Sequence, residues 1–312
     1  MVWARATLWA MAEPAGKTAT PPQLLDLVKR SGDYLKGKGI ANGRREAEWI
    51  FAETLKMTRI DLFTRFDMPL DPDEVEKLRA LVVRRGKREP LAYILGSQEF
   101  HGLDLKVGPG VLVPRPETEE LVDRLLAELP QVDGGGENSE NSGKKSGPRI
   151  LDVGTGSGAI ALAVKKARPD AAVIATDRDP AALGIARANA ERLELVVEFR
   201  SGHLAVGISG PFDAVAANLP YIGEHERGDC DPELAFEPQQ ALFAGEGGMA
   251  LIAELLTDAK RILAPGGVMW LEHGWKQGVL VRAQAEKLGL VCATIQDAGG
   301  KDRIARVTVA AG

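Results

Sequence analysis

Seven short apolar runs, at residues 149–153, 172–176, 195–199, 212–217, 268–272, 291–295 and 303–309, share the second half of the chain with four stretches of helical spacing, at 159–166, 180–192, 249–263 and 276–288. In the third stretch Met249, Ile252, Leu255, Leu256, Ala259, Ile262 and Leu263 fall on one helix face. Strands that alternate with helices are joined by crossovers, so the pattern predicts an α/β fold with a mostly parallel, doubly wound sheet. Such a sheet binds ligands in the crevice at the carboxyl ends of its strands. Chemistry is therefore expected just after Val153, Thr176, Phe199 and Ala217.

The first of those positions carries Gly154, Thr155, Gly156, Ser157 and Gly158 between a strand and a helix. Glycines there permit a sharp turn and let a ligand touch the backbone, and the helix start offers free N–H groups. The same residues satisfy a dinucleotide pattern ending at Ala159, so both a pyrophosphate cofactor and S-adenosylmethionine fit. Asp177 ends the second strand, where a carboxylate accepts both hydroxyls of an adenosine ribose. Directly after the fourth strand stand Asn218, Leu219, Pro220 and Tyr221. An amide, a rigid backbone and an aromatic suit a planar NH2 group, whose delocalised lone pair makes it a poor nucleophile. The Asn218 side-chain oxygen and the Leu219 carbonyl can each accept one N–H, drawing the nitrogen toward tetrahedral geometry, with Tyr221 packed on the planar face.

Upstream the rhythm differs. Residues 21–90 show four apolar stripes at helical spacing, around Leu24 to Leu35, Ala47 to Leu55, Ile60 to Phe63 and Val75 to Val82, and predict a small helical bundle. Residues 91–113 break into short runs punctuated by Gly and Pro and read as a β-hairpin linker, and 114–312 as the catalytic domain. Residues 131–147 (QVDGGGENSENSGKKSG) have no apolar periodicity and read as a flexible loop insertion; 1–20 read as a disordered leader, with Met11 a candidate true start. Lys and Arg total 39 against 44 Asp and Glu, a net charge of -5, which excludes a globally basic nucleic-acid coat. The two cysteines, Cys230 and Cys292, form no CxxC, which excludes a disulfide scaffold and a cysteine zinc site and points to a reducing, cytoplasmic setting. No run approaches the ~20 apolar residues of a membrane span.

The segments EPLAYILG at 89–96, FHGL at 100–103, VLVPRPETE at 111–119, the glycine loop, NLPYI at 218–222, FEP at 236–238 and LEHG at 271–274 together resemble the release factor glutamine N5-methyltransferases. The resemblance implies a seven-stranded, Rossmann-like, S-adenosylmethionine-dependent domain, preceded by a helical bundle that recognises substrate and by a hairpin. It implies methylation of the glutamine amide in the Gly-Gly-Gln motif of class I peptide chain release factors, with no direct nucleic acid or membrane partner. By the same resemblance Gly154 to Gly158, Asp177, His203, Leu204 and Asn218 hold the cofactor. Asn218, Leu219, Pro220 and Tyr221 hold the glutamine amide, and the segment 114–119 helps to close the cofactor pocket.

The chain departs from the family pattern twice. Leu219 replaces the first proline of an Asn-Pro-Pro-Tyr tetrad, which keeps the backbone carbonyl and loses the φ restraint. His203-Leu204 stands where the family has an acidic residue followed by a bulky apolar one beside the adenine. Other readings remain open at this stage: an N6-adenine methyltransferase, since a flipped base offers the same NH2 group, a non-catalytic cofactor-binding relative, or a nucleotide oxidoreductase. The acids around Glu224, His225 and Glu226 read as a solvated loop, so no metal is expected. Arg84, Arg85, Lys87 and Arg88 read as a solvated helix end, and Trp270 and Trp275 as core.

Overall fold

The computed structural model describes residues 22–130, 147–245 and 247–310. The expected leader, and the expected insertion apart from Gly147, lie outside the described residues. The chain divides into two units, one ending at Gly96 and one beginning at Ser97.

The first unit is helical: α1 (Leu24–Gly37), α2 (Gly43–Leu55), α3 (Arg59–Thr64), α4 (Pro72–Gly86) and α5 (Leu91–Leu95). Leu24, Leu27, Leu35, Ile50, Phe51, Leu62, Leu78 and Val82 bury completely or nearly so and form its core. Burial of each such side chain contributes on the order of 2 kcal/mol. α1 and α2 approach backbone to backbone: a Cβ on Gly43 would lie 2.8 Å from the Gly32 carbonyl oxygen. α4 starts where Pro72 occupies the first turn and the Asp71 N–H donates to Glu74 Oε2, 3.0 Å away.

Two expectations are corrected here. The run at 91–95 is the short helix α5 rather than a strand, begun after Pro90 and ended by Gly96 at φ 81°. The basic run is a solvated helix end only in part: it closes α4 and Lys87 is exposed, but the three arginines are engaged within the bundle. Arg85 is buried against Glu46, Arg84 pairs with Glu89, and Arg88 Nη1 donates to the Gly39 carbonyl, 2.9 Å away. These three arginines tie segments of the bundle to one another.

The second unit opens with a hairpin, β1 (Ser97–Phe100) and β2 (Leu103–Lys106), closed by His101 and Gly102 at φ 49° and 70°. Both positive angles give the turn whose twist matches its flanking strands. There follow α6 (Pro116–Glu128), β3 (Arg149–Val153), α7 (Ala159–Ala167), β4 (Ala172–Asp177), α8 (Pro180–Arg192), β5 (Glu198–Ser201), β6 (Phe212–Asn218), α9 (Ala250–Ile262), β7 (Leu263–Glu272), α10 (Gly278–Lys287), β8 (Leu290–Gln296) and β9 (Asp302–Val309). The seven strands from β3 onward form one sheet in the order β5-β4-β3-β6-β7-β9-β8, parallel except for β9, which runs antiparallel to both neighbours.

Side chains alternate across this sheet. Ile150, Ala214, Ala216, Val268 and Trp270 pack under α6 and α7, while Leu151, Val153, Val215, Ala217, Met269 and Leu271 pack under α9 and α10. The chain runs outward from β3 through β4 to β5, then returns to β6 on the other side of β3. The crevice at that reversal lies beyond Val153 and Asn218. Among the described residues no helix is long and apolar enough to cross a membrane.

Candidate active site

The turn leaving β3 is held from below and open above. Gly154, Gly156 and Gly158 have φ of 75°, 55° and 87°, a region that glycine enters without strain. The N–H groups of Gly154 and Thr155 both donate to the Thr176 carbonyl, 2.9 Å away, which ties the turn to the end of β4. Gly156 N–H donates to Asp177 Oδ2 and Asp179 N–H to Asp177 Oδ1, each at 2.9 Å, so two main-chain donors orient that carboxylate. A Cβ on Gly156 would meet nothing within 4 Å, whereas one on Gly158 would lie 3.0 Å from Leu162 Cδ1. Gly156 thus leaves space for a ligand, and Gly158 serves the packing of α7.

Beneath the turn Asp152 is fully buried. Its Oδ2 accepts from Thr155 Oγ1 (2.6 Å) and Ala161 N–H (3.1 Å), while Oδ1 has no partner. Burial pushes its carboxyl up to about 7, against those two hydrogen bonds and with the Asp177 charge adding to the rise.

Across the crevice, a hydrogen-bonded chain fixes Asn218. Thr118 Oγ1, near the start of α6, donates to Glu272 Oε2 at the end of β7, 2.6 Å away. Its lone pair is then free to accept from Asn218 Nδ2 at 2.9 Å. Tyr221 Oη donates to Glu272 Oε1 at 3.1 Å. Because the amide nitrogen of Asn218 is committed to Thr118, its oxygen is the end presented elsewhere. Glu272 is buried, which raises its pKa above the usual carboxylate range while both hydroxyls lower it; burial beside Glu272 raises that of Tyr221. Gln277 holds the far end of the tetrad: Nε2 donates to the Tyr221 carbonyl (2.7 Å) and Oε1 accepts from Gly274 N–H (2.8 Å).

The structure gathers Gly154, Thr155, Gly156, Ser157, Asp177, His203, Leu204, Asn218, Leu219 and Pro220 around one pocket. Gly158 and Tyr221 do not line it: Gly158 caps the start of α7 and packs against Leu162 and Ala186, and Tyr221 borders a separate cleft. The pocket is completed by Phe100, Val111, Leu112, Pro114, Arg115 and Thr118 on one side and by Pro238, Gln240 and Ala241 on another. Glu237, almost fully buried, pins the 113–115 segment, accepting from Val113 N–H at 2.9 Å and from Arg115 Nη2 at 2.5 Å. Leu219 is buried in the core under α9, and a Cβ on Gly154 would lie 2.9 Å from its Cδ2. Packing therefore supplies part of the restraint that a proline would give. His203 Nε2 lies 2.9 Å from Glu254 Oε1 on α9, and Leu204 adopts φ 49° with its carbonyl accepting from Thr176 Oγ1.

In the sequence Thr118 stands only within the pocket-closing segment 114–119, Glu237 and Glu272 only within the resembling segments 236–238 and 271–274 without a role of their own, and Gln277 has none. The one local signal was an acid closing an apolar strand at Glu272, which marks a buried carboxylate in need of donors. Trp270 is core, but Trp275 is 52% exposed, because it follows the end of β7 in the turn before α10. Among the described residues no three His, Cys, Asp or Glu side chains gather as around a metal ion.

Residues 26–96 match the family described as PrmC N-terminal domain, and residues 139–245 the Methyltransferase small domain. The chain is 38% identical over 274 residues to the release factor glutamine methyltransferase of Geobacter sulfurreducens, covering 87% of this chain and 91% of that one. It is 35% identical to the protein of the same name from Deinococcus radiodurans, over 93% of this chain and 100% of the other. A solved protein-(glutamine-N5) methyltransferase (release factor-specific) from Alicyclobacillus acidocaldarius is 27% identical over 66% of this chain and all of its own, with a TM-score of 0.38. Sheet order, glycine turn and domain match together define a Rossmann-like methyltransferase. Within that class, the sequence relatives show that the chain belongs to the release factor glutamine methyltransferases.

Proposed function

We propose that the chain methylates the side-chain amide nitrogen of the glutamine in the Gly-Gly-Gln motif of class I peptide chain release factors, using S-adenosylmethionine. The observation that carries this reading is the Glu272–Thr118–Asn218 chain, which commits the amide nitrogen of Asn218 and leaves its oxygen as an acceptor beside the glycine turn. The residues fit the cofactor: Gly156 would face it without a side chain, Asp177 would hold the ribose hydroxyls, and His203 and Leu204 would border the adenine. When bound, the cofactor supplies an electrophilic methyl group on a sulfonium sulfur.

The protein's part is orientation. Asn218 Oδ1 and the Leu219 carbonyl each accept one substrate N–H, which localises the nitrogen lone pair and points it into the pocket. Placing two reactants in line is worth up to about 7 to 11 kcal/mol of barrier, so no general base is required before attack. The proton leaves nitrogen for solvent water once bond formation has made it acidic. Phe100, Val111 and Ile160 make part of the pocket wall apolar, which keeps water from competing for the acceptors. Incubation with labelled cofactor and a release factor bearing either Gln or Ala at the motif is the test. Label is expected on the Gln form alone, and equal labelling of both would sink the assignment.

A further inference from the structure

Tyr221, the neighbour of Pro220 in the wall of the methyl-transfer pocket, borders a second cleft, lined also by Glu226, Asp229, Trp275, Lys276 and Arg303. We infer that this cleft binds, in extended form, the polypeptide segment next to the methylated glutamine; the inference rests on the function proposed above. The Tyr221 hydroxyl is tied back to Glu272 and its carbonyl to Gln277, so the ring is fixed at the edge of the tetrad. A glutamine side chain held by Asn218 and Leu219 must leave its own main chain outside the pocket, and the next surface along the tetrad is this cleft.

The chemistry of the lining favours a peptide backbone. Carboxylates of Glu226, which accepts from Gly223 N–H, and Asp229 lie with Lys276 and with Arg303, itself paired with Asp297, around a single depression. A lining of both signs matches a chain that presents N–H and C=O groups in alternation, whereas a polyanion such as RNA would meet the acids unfavourably. Trp275 supplies a flat contact surface: it is 52% exposed, with Lys276 Nζ 4.8 Å from its ring centroid. An exposed tryptophan beside a polar depression has the makings of an anchor for a partner.

The test uses the full chain and a full-length class I release factor. Trp275→Ala is expected to raise KM for the release factor about tenfold, the loss typical of one aromatic anchor, with kcat and cofactor Kd within about twofold. Trp275→Phe should recover most of the loss, and Lys276→Ala should raise KM in the same direction. An unchanged KM in Trp275→Ala, with the glutamine still methylated by the wild-type chain, overturns the cleft assignment alone. A wild-type chain that leaves the glutamine unmodified overturns the function, and the cleft falls with it. A fall in kcat or in cofactor affinity at constant KM would give Trp275 a different role and likewise refute the inference.

Discussion

Thr118→Val exchanges a hydroxyl for a methyl group of similar shape at a position that is 4% exposed. It removes the donor to Glu272 Oε2 and the acceptor of Asn218 Nδ2 together. Leaving a buried polar group unsatisfied costs about 1–3 kcal/mol, and Glu272 takes most of that while the half-buried Asn218 can recruit water. A stability loss of about 2–3 kcal/mol is therefore expected in urea titrations. The effect on turnover comes separately. Without Thr118 the Asn218 amide has no reason to prefer one flip over the other, and its side chain gains rotamer freedom. A loss of about 1.4–2.8 kcal/mol of transition-state stabilisation lowers kcat about ten- to a hundredfold. Single-turnover methylation of a release factor, at saturating enzyme and cofactor, reads that step, and calorimetry reads cofactor Kd, expected within about twofold of the wild type. Thr118→Ser keeps the hydroxyl and should restore both stability and rate. If Thr118→Val loses stability as expected yet keeps kcat within about twofold, Thr118 does not orient the amide and the reasoning fails.

Two further outcomes follow from the glycine turn. Asp152 has its pKa raised in the fold from its ordinary ~3.9 to about 7, so its contribution is favourable below about pH 4 and is lost as pH rises through about 7. The wild-type chain should lose about 2 kcal/mol more than Asp152→Asn between about pH 5 and pH 7, read from urea midpoints; identical slopes would contradict the buried, elevated carboxyl. Gly154→Ala places a Cβ at φ 75° and 2.9 Å from Leu219 Cδ2, so stability should fall by about 1–2 kcal/mol and cofactor binding should weaken. Pairing it with Leu219→Ala should recover the part due to the clash; strictly additive losses would show that the two residues do not press on one another.

What could be read in the sequence was whatever local spacing controls. The sheet strands betray themselves as apolar runs because they are covered on both faces, and the turn after β3 does so because three glycines have positive φ there. The edge strand was misplaced: 195–199 looked like a strand, whereas β5 spans Glu198–Ser201. On an edge the pattern is weak, since Val196 is 81% exposed and the strand pairs on one side only. The three short 3-10 turns at Glu224–Asp229, Pro232–Phe236 and Gln239–Ala241 carried no periodicity to read. The same limit applies to the site. Asn218 and Asp177 are legible because they close strands, but the partner that orients Asn218 lies 100 residues away in sequence and that partner's own acceptor 154 away. Only the folded sheet, which brings the start of α6 over the ends of β6 and β7, puts them in contact.

The proposed reaction requires Asn218 to present its oxygen to a glutamine amide on a protein. Mass spectrometry of the release-factor Gly-Gly-Gln peptide, after incubation with cofactor and either the wild-type chain or Asn218→Ala, tests it most directly. One added methyl group on the glutamine is expected with the wild type and almost none with Asn218→Ala, while the variant still binds cofactor. Methylation at undiminished rate by Asn218→Ala, or an unmodified glutamine with the wild type, would contradict it.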